Sequence, residues 1–348
     1  MVQRILILTV GLLLLAAPAM GDSVADFYKG KTIRIVVGYG PGGTTDLTTR
    51  LIAPVLHKYI PGSPRIVVQN KSGGGSMLAA NTVFNNERRD GTVLAGVSSS
   101  LVMKQARGVA GIKFDGRKFN WVASAFRANS MCAVRTDAGV KNFADAVATK
   151  KKLTMSSFDK GGLSHLEPII FNAVFGSNFK AVTGYTGGCS QRLAVKNGEA
   201  NGFCTTFQTA KSTEIAMFEG AAKCCRVLII AGATKEDHRL LKGVPAAEAL
   251  AKKQGKGKTQ IAMLRAMNAT NQISIVHTLP PGVPKARVEA MRDAFASAYN
   301  DPQVKALAEK QKRDLQPRRG DNVAEVVNEL LNTPKSIMDE LKALIAKG

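Results

Sequence analysis

Residues 33–46 read IRIVVGYGPGGTTD. The β-branched residues Ile33, Ile35, Val36 and Val37 favour a strand, and the run stops at Gly38. Beyond the turn, Leu47, Leu51, Val55 and Leu56 recur at helical spacing. The stretch therefore predicts a strand, a glycine turn and a helix. Gly38, Gly40 and Gly43 also fit the spacing G-x-G-x-x-G, which in that setting marks dinucleotide-binding enzymes. The same turn suits any protein whose backbone must approach an anion closely.

The unit recurs along the chain. RIVVQN (65–70) leads through KSGGGS (71–76) into MLAANTVF (77–84). KLTMSSF (152–158) leads through DKGGLS (159–164) into HLEPIIFNAVF (165–175), and FKAVTGY (179–185) through TGG (186–188) into CSQRLAVKNG (189–198). DGTVLAGVSSS (90–100) precedes a short helical piece from Leu101. Strands alternating with helices predict an α/β fold with mainly parallel sheets flanked by helices. WVASAFRANSMCAVRTD (121–137) reads as a strand entering a second region, and NQISIVHTLPPGVP (271–284) as the way back, with Pro280, Pro281 and Pro284 ending the strand. Two crossings by hinge strands near 128 and 278 predict a first lobe from 22–127 and 279–348, with a second lobe, 128–278, inserted. The tail supplies two amphipathic helices to the first lobe, through Val323, Val326, Val327 and Leu330 and then Ile337, Leu341 and Ile345.

Bulk properties narrow the class. At 348 residues the chain exceeds the roughly 250–300 that one core supports, in keeping with two lobes. The segment 1–21 has Arg4, an apolar run at 5–17 and small residues at Ala17 and Ala19, the pattern of a cleavable secretory signal. Its apolar run is shorter than the roughly 20 residues that span a bilayer, so an exported, periplasmic protein is expected. The net charge of +22 attracts anions. It is spread along the chain, and a single Trp gives little for stacking bases, so nucleic acid is not the expected partner. Five cysteines, Cys132, Cys189, Cys204, Cys224 and Cys225, form no C-x-x-C, and the four histidines are scattered. One disulfide within a lobe is expected, its partners open, and neither a metal nor a cofactor is expected.

The glycine turn can now be weighed. A nicotinamide-binding unit places a carboxylate at the end of its second strand to hold the ribose. Here that strand ends Gln69-Asn70-Lys71. Turns at 42–44, 73–76, 161–164 and 186–188 instead each put a helix start, with its unpaired N–H groups, at the carboxyl edge of a sheet, where ligands of open α/β sheets bind. Each turn alone is ordinary strand-to-helix chemistry. Four of them, two per lobe, favour a bound carboxylate or similar anion. No G-x-S-x-G elbow occurs, since position 78 is Leu, and no pair of carboxylates stands out, so an enzyme is not expected.

IRIVVGYGPGGTTDLTTRLIAPVL (33–56) closely resembles the first strand, loop and helix of the tripartite tricarboxylate transporter receptors, also called Bug receptors, whose loop commonly reads V-P-F-P-P-G-G-x-x-D. Likeness continues through IVVQNKSGGGSMLAAN, RDGTVLAGVSSS, MSSFDKGGLSHLEPIIF, AVTGYTGGCSQRLAVKNGEANG and VHTLPPGVP. The resemblance implies a two-lobed periplasmic binding protein of the type II Venus-flytrap kind, expected to act as a monomer. It would capture a small organic carboxylate between its lobes and deliver it to integral membrane transporter subunits; a sensor serving a membrane signalling partner is the alternative. Carried over by position, the first-lobe contacts would be Tyr39, Gly40, Gly42, Gly43 and Thr44, with Asp46 shaping the loop and Gly74, Gly75, Ser76 and Ser99 on the same side. The second lobe would offer Ser157, Gly162, Ser164, His165, Tyr185 and Gly187. Serine hydroxyls and backbone amides can hydrogen-bond a carboxylate without a buried lysine or arginine, which suits reversible capture. Departures from the pattern are Gly40-Pro41 for the usual Pro-Pro, Gly38 where proline is common, and Glu167 and Cys189 beside the second-lobe turns.

Overall fold

The apolar runs form strands in two sheets. The computed structural model describes residues 23–127, 129–157, 160–185, 188–232 and 238–347. The expected signal segment, hinge residue Ala128 and site residue Gly187 lie outside the described residues. One sheet contains β1 (Thr32–Val37), β2 (Arg65–Asn70), β3 (Val93–Val97) and β4 (Asn120–Phe126). The other is built of β5 (Ser130–Arg135), β6 (Leu153–Ser156), β7 (Phe179–Val182), β8 (Gly202–Thr206) and β9 (Cys225–Ile230). The chain then returns to the first sheet as β10 (Ser274–Leu279) and the short β11 (Arg318–Arg319).

The orders are β11-β4-β10-β3-β1-β2 and β7-β6-β8-β5-β9. Each sheet has three parallel strands with the first in the middle, then a reversed strand, then one restored to the original direction. The sheets are thus mixed where mainly parallel ones were expected. The reason lies in the crossings. β1–β3 end at the edge facing the other lobe, and a strand arriving from that lobe starts at the same edge, so β10 and β5 must run against their neighbours. Thr278 lies inside β10, paired with Ala95 and Trp121, so the return to the first sheet is made earlier, at 272–273, rather than at 278. Ile275 in the same strand has φ +55, costly for a β-branched residue.

Register decides where the turns lie. Val37 pairs with Asn70 and with Gly96, which levels the ends of β1, β2 and β3. Ser156 pairs with Val182 and Phe203, levelling β6, β7 and β8. One face of the first sheet packs on the helices Thr44–Leu56, Lys285–Asn300 and Pro302–Lys310 through Ile35, Leu51, Ile52, Phe295 and Val304. On the other face a core runs on into the second lobe, through Val276, Met263 and Met267 to Cys132, Leu153 and Phe171. The helix Lys335–Lys347, expected on the first lobe, packs against the second-lobe helix Leu163–Phe175. Cys132 and Cys204, directly opposite on β5 and β8 with Cα atoms 4.1 Å apart, form the expected disulfide. No helix among the described residues is long and apolar enough to cross a membrane.

Candidate ligand-binding cleft

Three loops of the first lobe are locked together by small residues. The Gly38 N–H donates to the Gly96 carbonyl at 2.9 Å. A Cβ on Gly38 would lie 2.5 Å from Ser76 Cβ, so the loop after β1 can meet the loop after β2 only with glycine there. Ser76 is wholly buried, and its hydroxyl accepts from the Ser98 N–H at 3.3 Å, which adds the loop after β3. Residues 73–76 have φ values of +152, +58, +62 and +75, a left-handed run that the three glycines adopt cheaply and that Ser76 shares at some cost.

Asp46 organises the remaining loop. Its buried carboxylate accepts from the Gly42 N–H (2.9 Å), Asn70 Nδ2 (2.8 Å) and Arg50 Nε (2.9 Å). Asn70 Nδ2 also donates to the Tyr39 carbonyl at 2.9 Å. Burial works to raise the Asp46 pKa, but the bonds from Asn70, Gly42 and Arg50 outweigh it and hold the carboxyl below its ordinary range. Asp46 therefore spends its oxygens on the turn. Gly43 caps the helix Thr44–Leu56 with no side chain to occupy the first-turn amides, and Gly40 has open space around its Cβ position. Tyr39 and Gly43 are half-buried and Thr44 is exposed. Gly74 is exposed and Gly75 half-buried.

Ser99 is used differently from expectation. Its buried hydroxyl donates to the Thr270 carbonyl at 2.8 Å, tying this loop to the helix Lys258–Asn271. Half-buried Ser98, which the sequence did not single out, lies beside it, its Oγ 2.8 Å from that of Ser100.

In the second lobe, Ser157 and Ser164 face each other, Oγ to Oγ 2.9 Å, and both are buried. Gly162 caps the helix Leu163–Phe175 without a side-chain bond, and His165 is buried in its first turn. Tyr185 is half-buried. Glu167 is fully buried on the same helix, and burial pushes its carboxyl up to about 8 against a smaller opposing bond from Ser130. It lies by the disulfide, with Cys132 Sγ 3.7 Å from Oε2. Cys132, Glu167 and Cys204 are the trio of possible metal ligands found among the described residues, but their sulfurs are bonded to each other and offer no thiolate. Cys189 is exposed, with Arg192 Nη2 3.2 Å from its sulfur.

Two basic residues, absent from the sequence expectation, join the halves. Lys104 and Arg107 follow the β3 turn on the helix Ser100–Ala106 and its C-cap, and are 6% and 8% exposed. Lys104 Nζ lies 3.4 Å from the Gly74 carbonyl in the first-lobe turn. Arg107 crosses to the second lobe, where a Cβ on Gly161 would lie 2.7 Å from its Nη2. Lys104 and Arg107 were not among the residues the sequence singled out. The available signal was their three-residue spacing just past a serine-rich turn, although such a pair on a short helix ordinarily reads as a solvated face. The contact brings the helix that follows β3 up to the turn that follows β6, so the first-lobe and second-lobe turns lie near one another. A separate cavity of about 670 Å³ is lined by Lys211, Lys305, Arg313, Glu309 and Asp314 among others, and shares no residue with these turns.

Comparison with known proteins gives this arrangement a relative. Residues 50–343 match the model of the TctC family, the tripartite tricarboxylate transporter family receptor. A Bordetella pertussis UPF0065 protein is 27% identical over 199 residues, 56% of this chain and 59% of that protein. The chain thus spans little more than half of that curated relative, and 26% and 28% of two others. Among solved structures, a TctC solute-binding protein from Polaromonas superposes with TM-score 0.64 at 18% identity, covering 92% of this chain and all of that one. MatC from Rhodopseudomonas palustris, solved with bound malate, superposes with TM-score 0.62 at 18% identity over 90% of this chain and 99% of its own. The structural likenesses carry the two-lobed α/β fold, and the family match extends over most of the sequence. This chain belongs to the TctC family of tripartite tricarboxylate transporter receptors.

Proposed function

We propose that the protein is an exported receptor that closes its two lobes on a small organic carboxylate and hands it to a membrane carrier. The observation that carries this reading is the approach of the two lobes' turns, with Arg107 of the first seated on Gly161 of the second. Uncapped helix starts at Gly43 and Gly162 supply N–H groups suited to a carboxylate. Family membership and a malate-bound structural neighbour agree with that chemistry. Tyr39, Gly40, Gly43, Thr44, Gly74 and Gly75 are proposed as first-lobe contacts, and Ser157, Ser164 and His165 as second-lobe contacts. Residues 1–21 are proposed as the export signal and the inserted middle segment as the moving lobe. Malate and other small acids should raise the melting temperature in proportion to ln(1 + [L]/Kd). If no acid in a mono-, di- and tricarboxylate panel moves the melt, and mass spectrometry of the purified protein finds no copurifying acid, the reading fails.

A further inference from the structure

We propose that the cavity beside the helix Pro302–Lys310 is a second ligand site, separate from the cleft, that takes a phosphate-type oxyanion. Its volume of about 670 Å³ is that of a small-molecule pocket. Its wall is drawn from separate stretches of chain. Lys211 comes from the second-lobe helix Phe207–Thr213 and Tyr299 from the end of the helix Lys285–Asn300. Lys305 and Glu309 stand on Pro302–Lys310, with Lys312, Arg313 and Asp314 just beyond it.

Two polar groups in that wall are left wanting. Tyr299 is 1% exposed, and its hydroxyl has no hydrogen-bond partner among the described residues. A buried hydroxyl without a partner is costly, and native structures keep few of them. Arg313 is half-buried and donates to neutral groups, Thr48 Oγ1 at 3.2 Å and Gln311 Oε1 at 3.0 Å. Burial pushes its guanidinium below its ordinary pKa, with no carboxylate working against the shift. Of the two acids in the wall, Asp314 lies 3.8 Å from Lys211. Among the described residues, Glu309, Lys305, Lys312 and Arg313 form no ion pair within 4.0 Å. Four cations thus face two carboxylates, an excess that draws in an anion of more than one charge. A tetrahedral phosphate offers oxygens in several directions, so it can accept from cations and a hydroxyl arriving on different elements. A single carboxylate presents two oxygens in one plane. Arginine binds phosphate as a fork and lysine as a point charge, and the cavity has both.

The test is calorimetric titration of the protein with pyrophosphate at about 0.15 M salt, where general attraction to a basic surface is largely screened. The wild type should show saturable binding. Tyr299→Phe keeps the ring and removes only the unpaired hydroxyl, and Lys305→Gln combined with Lys312→Gln changes two exposed side chains. Each should weaken pyrophosphate binding by about tenfold, the usual loss when a hydrogen bond to a charged group is removed. Melting curves report whether each variant folds, and the wild-type titration needs no variant. Absence of saturable binding by the wild type overturns the site, and so does wild-type affinity in both variants, which would put the anion elsewhere on the molecule. Neither result bears on the receptor reading, because the cavity shares no residue with the cleft turns.

Discussion

Glu167 and Asp46 are both buried acids, and their surroundings push them in opposite directions. Asp46 has three donors that favour its charged form; its contribution to stability is present above the unfolded carboxyl pKa and lost as pH falls through the lower folded value. Glu167 has little to offset burial, and its Oε1 has no hydrogen-bond partner among the described residues. The folded protein keeps the Glu167 proton up to about pH 8, while the unfolded chain releases it near its ordinary value of 4.5. Between those values the folded state binds more protons, so stability falls as pH rises from 4.5 to 8 and levels off above. Glu167→Gln keeps the shape and removes the ionisation. Its melting temperature should gain on the wild type from pH 5 to 8, by roughly 2–4 °C for each kcal/mol involved. A difference that stays flat across that range would show that Glu167 does not titrate there.

At the scale of elements, the decisive contact is between the loops after β1 and β2. Gly38→Ala places a methyl group 2.5 Å from Ser76 Cβ and 2.8 Å from its Cα, so the two loops must part. Overpacking of this kind costs about 1–3 kcal/mol. Gly40→Ala is the control, because nothing lies within 4 Å of that Cβ position. Urea unfolding should show a lower midpoint for Gly38→Ala and almost none of that loss for Gly40→Ala; equal midpoints would mean the loops are not packed this way. The importance of the turn was legible, since β-branched runs ended by glycine specify strand and turn locally. The reversed β5 and β10 were not, because strand direction depends on which lobe the chain arrives from. Lys104 and Arg107 escaped for a related reason: their burial comes from the Gly74 and Gly161 turns, 30 and more residues away in sequence, and nothing within their own helix signals it.

Across the whole molecule, the two sheets share a continuous apolar core along the helix Lys258–Asn271, while polar contacts reach across elsewhere. Lys211 of the inserted segment approaches Asp314 at 3.8 Å, and Arg107 seats on Gly161. The first is an exposed pair of little net worth. The second is buried and, on the receptor reading proposed above, is the contact made on closing. Gly161 suits that seat for two reasons: its φ of +80 disfavours any side chain, and a Cβ would press on the guanidinium. Gly161→Ala should therefore leave each lobe folded but hinder their approach. On the receptor reading proposed above, small-angle scattering of the wild type with a saturating acid that raises its melting temperature should show a smaller radius of gyration than without it. The variant should contract less and bind that acid more weakly, since ligand binding must now work against the obstructed closure. Contraction and affinity matching the wild type would mean that the lobes close without bringing Arg107 onto residue 161.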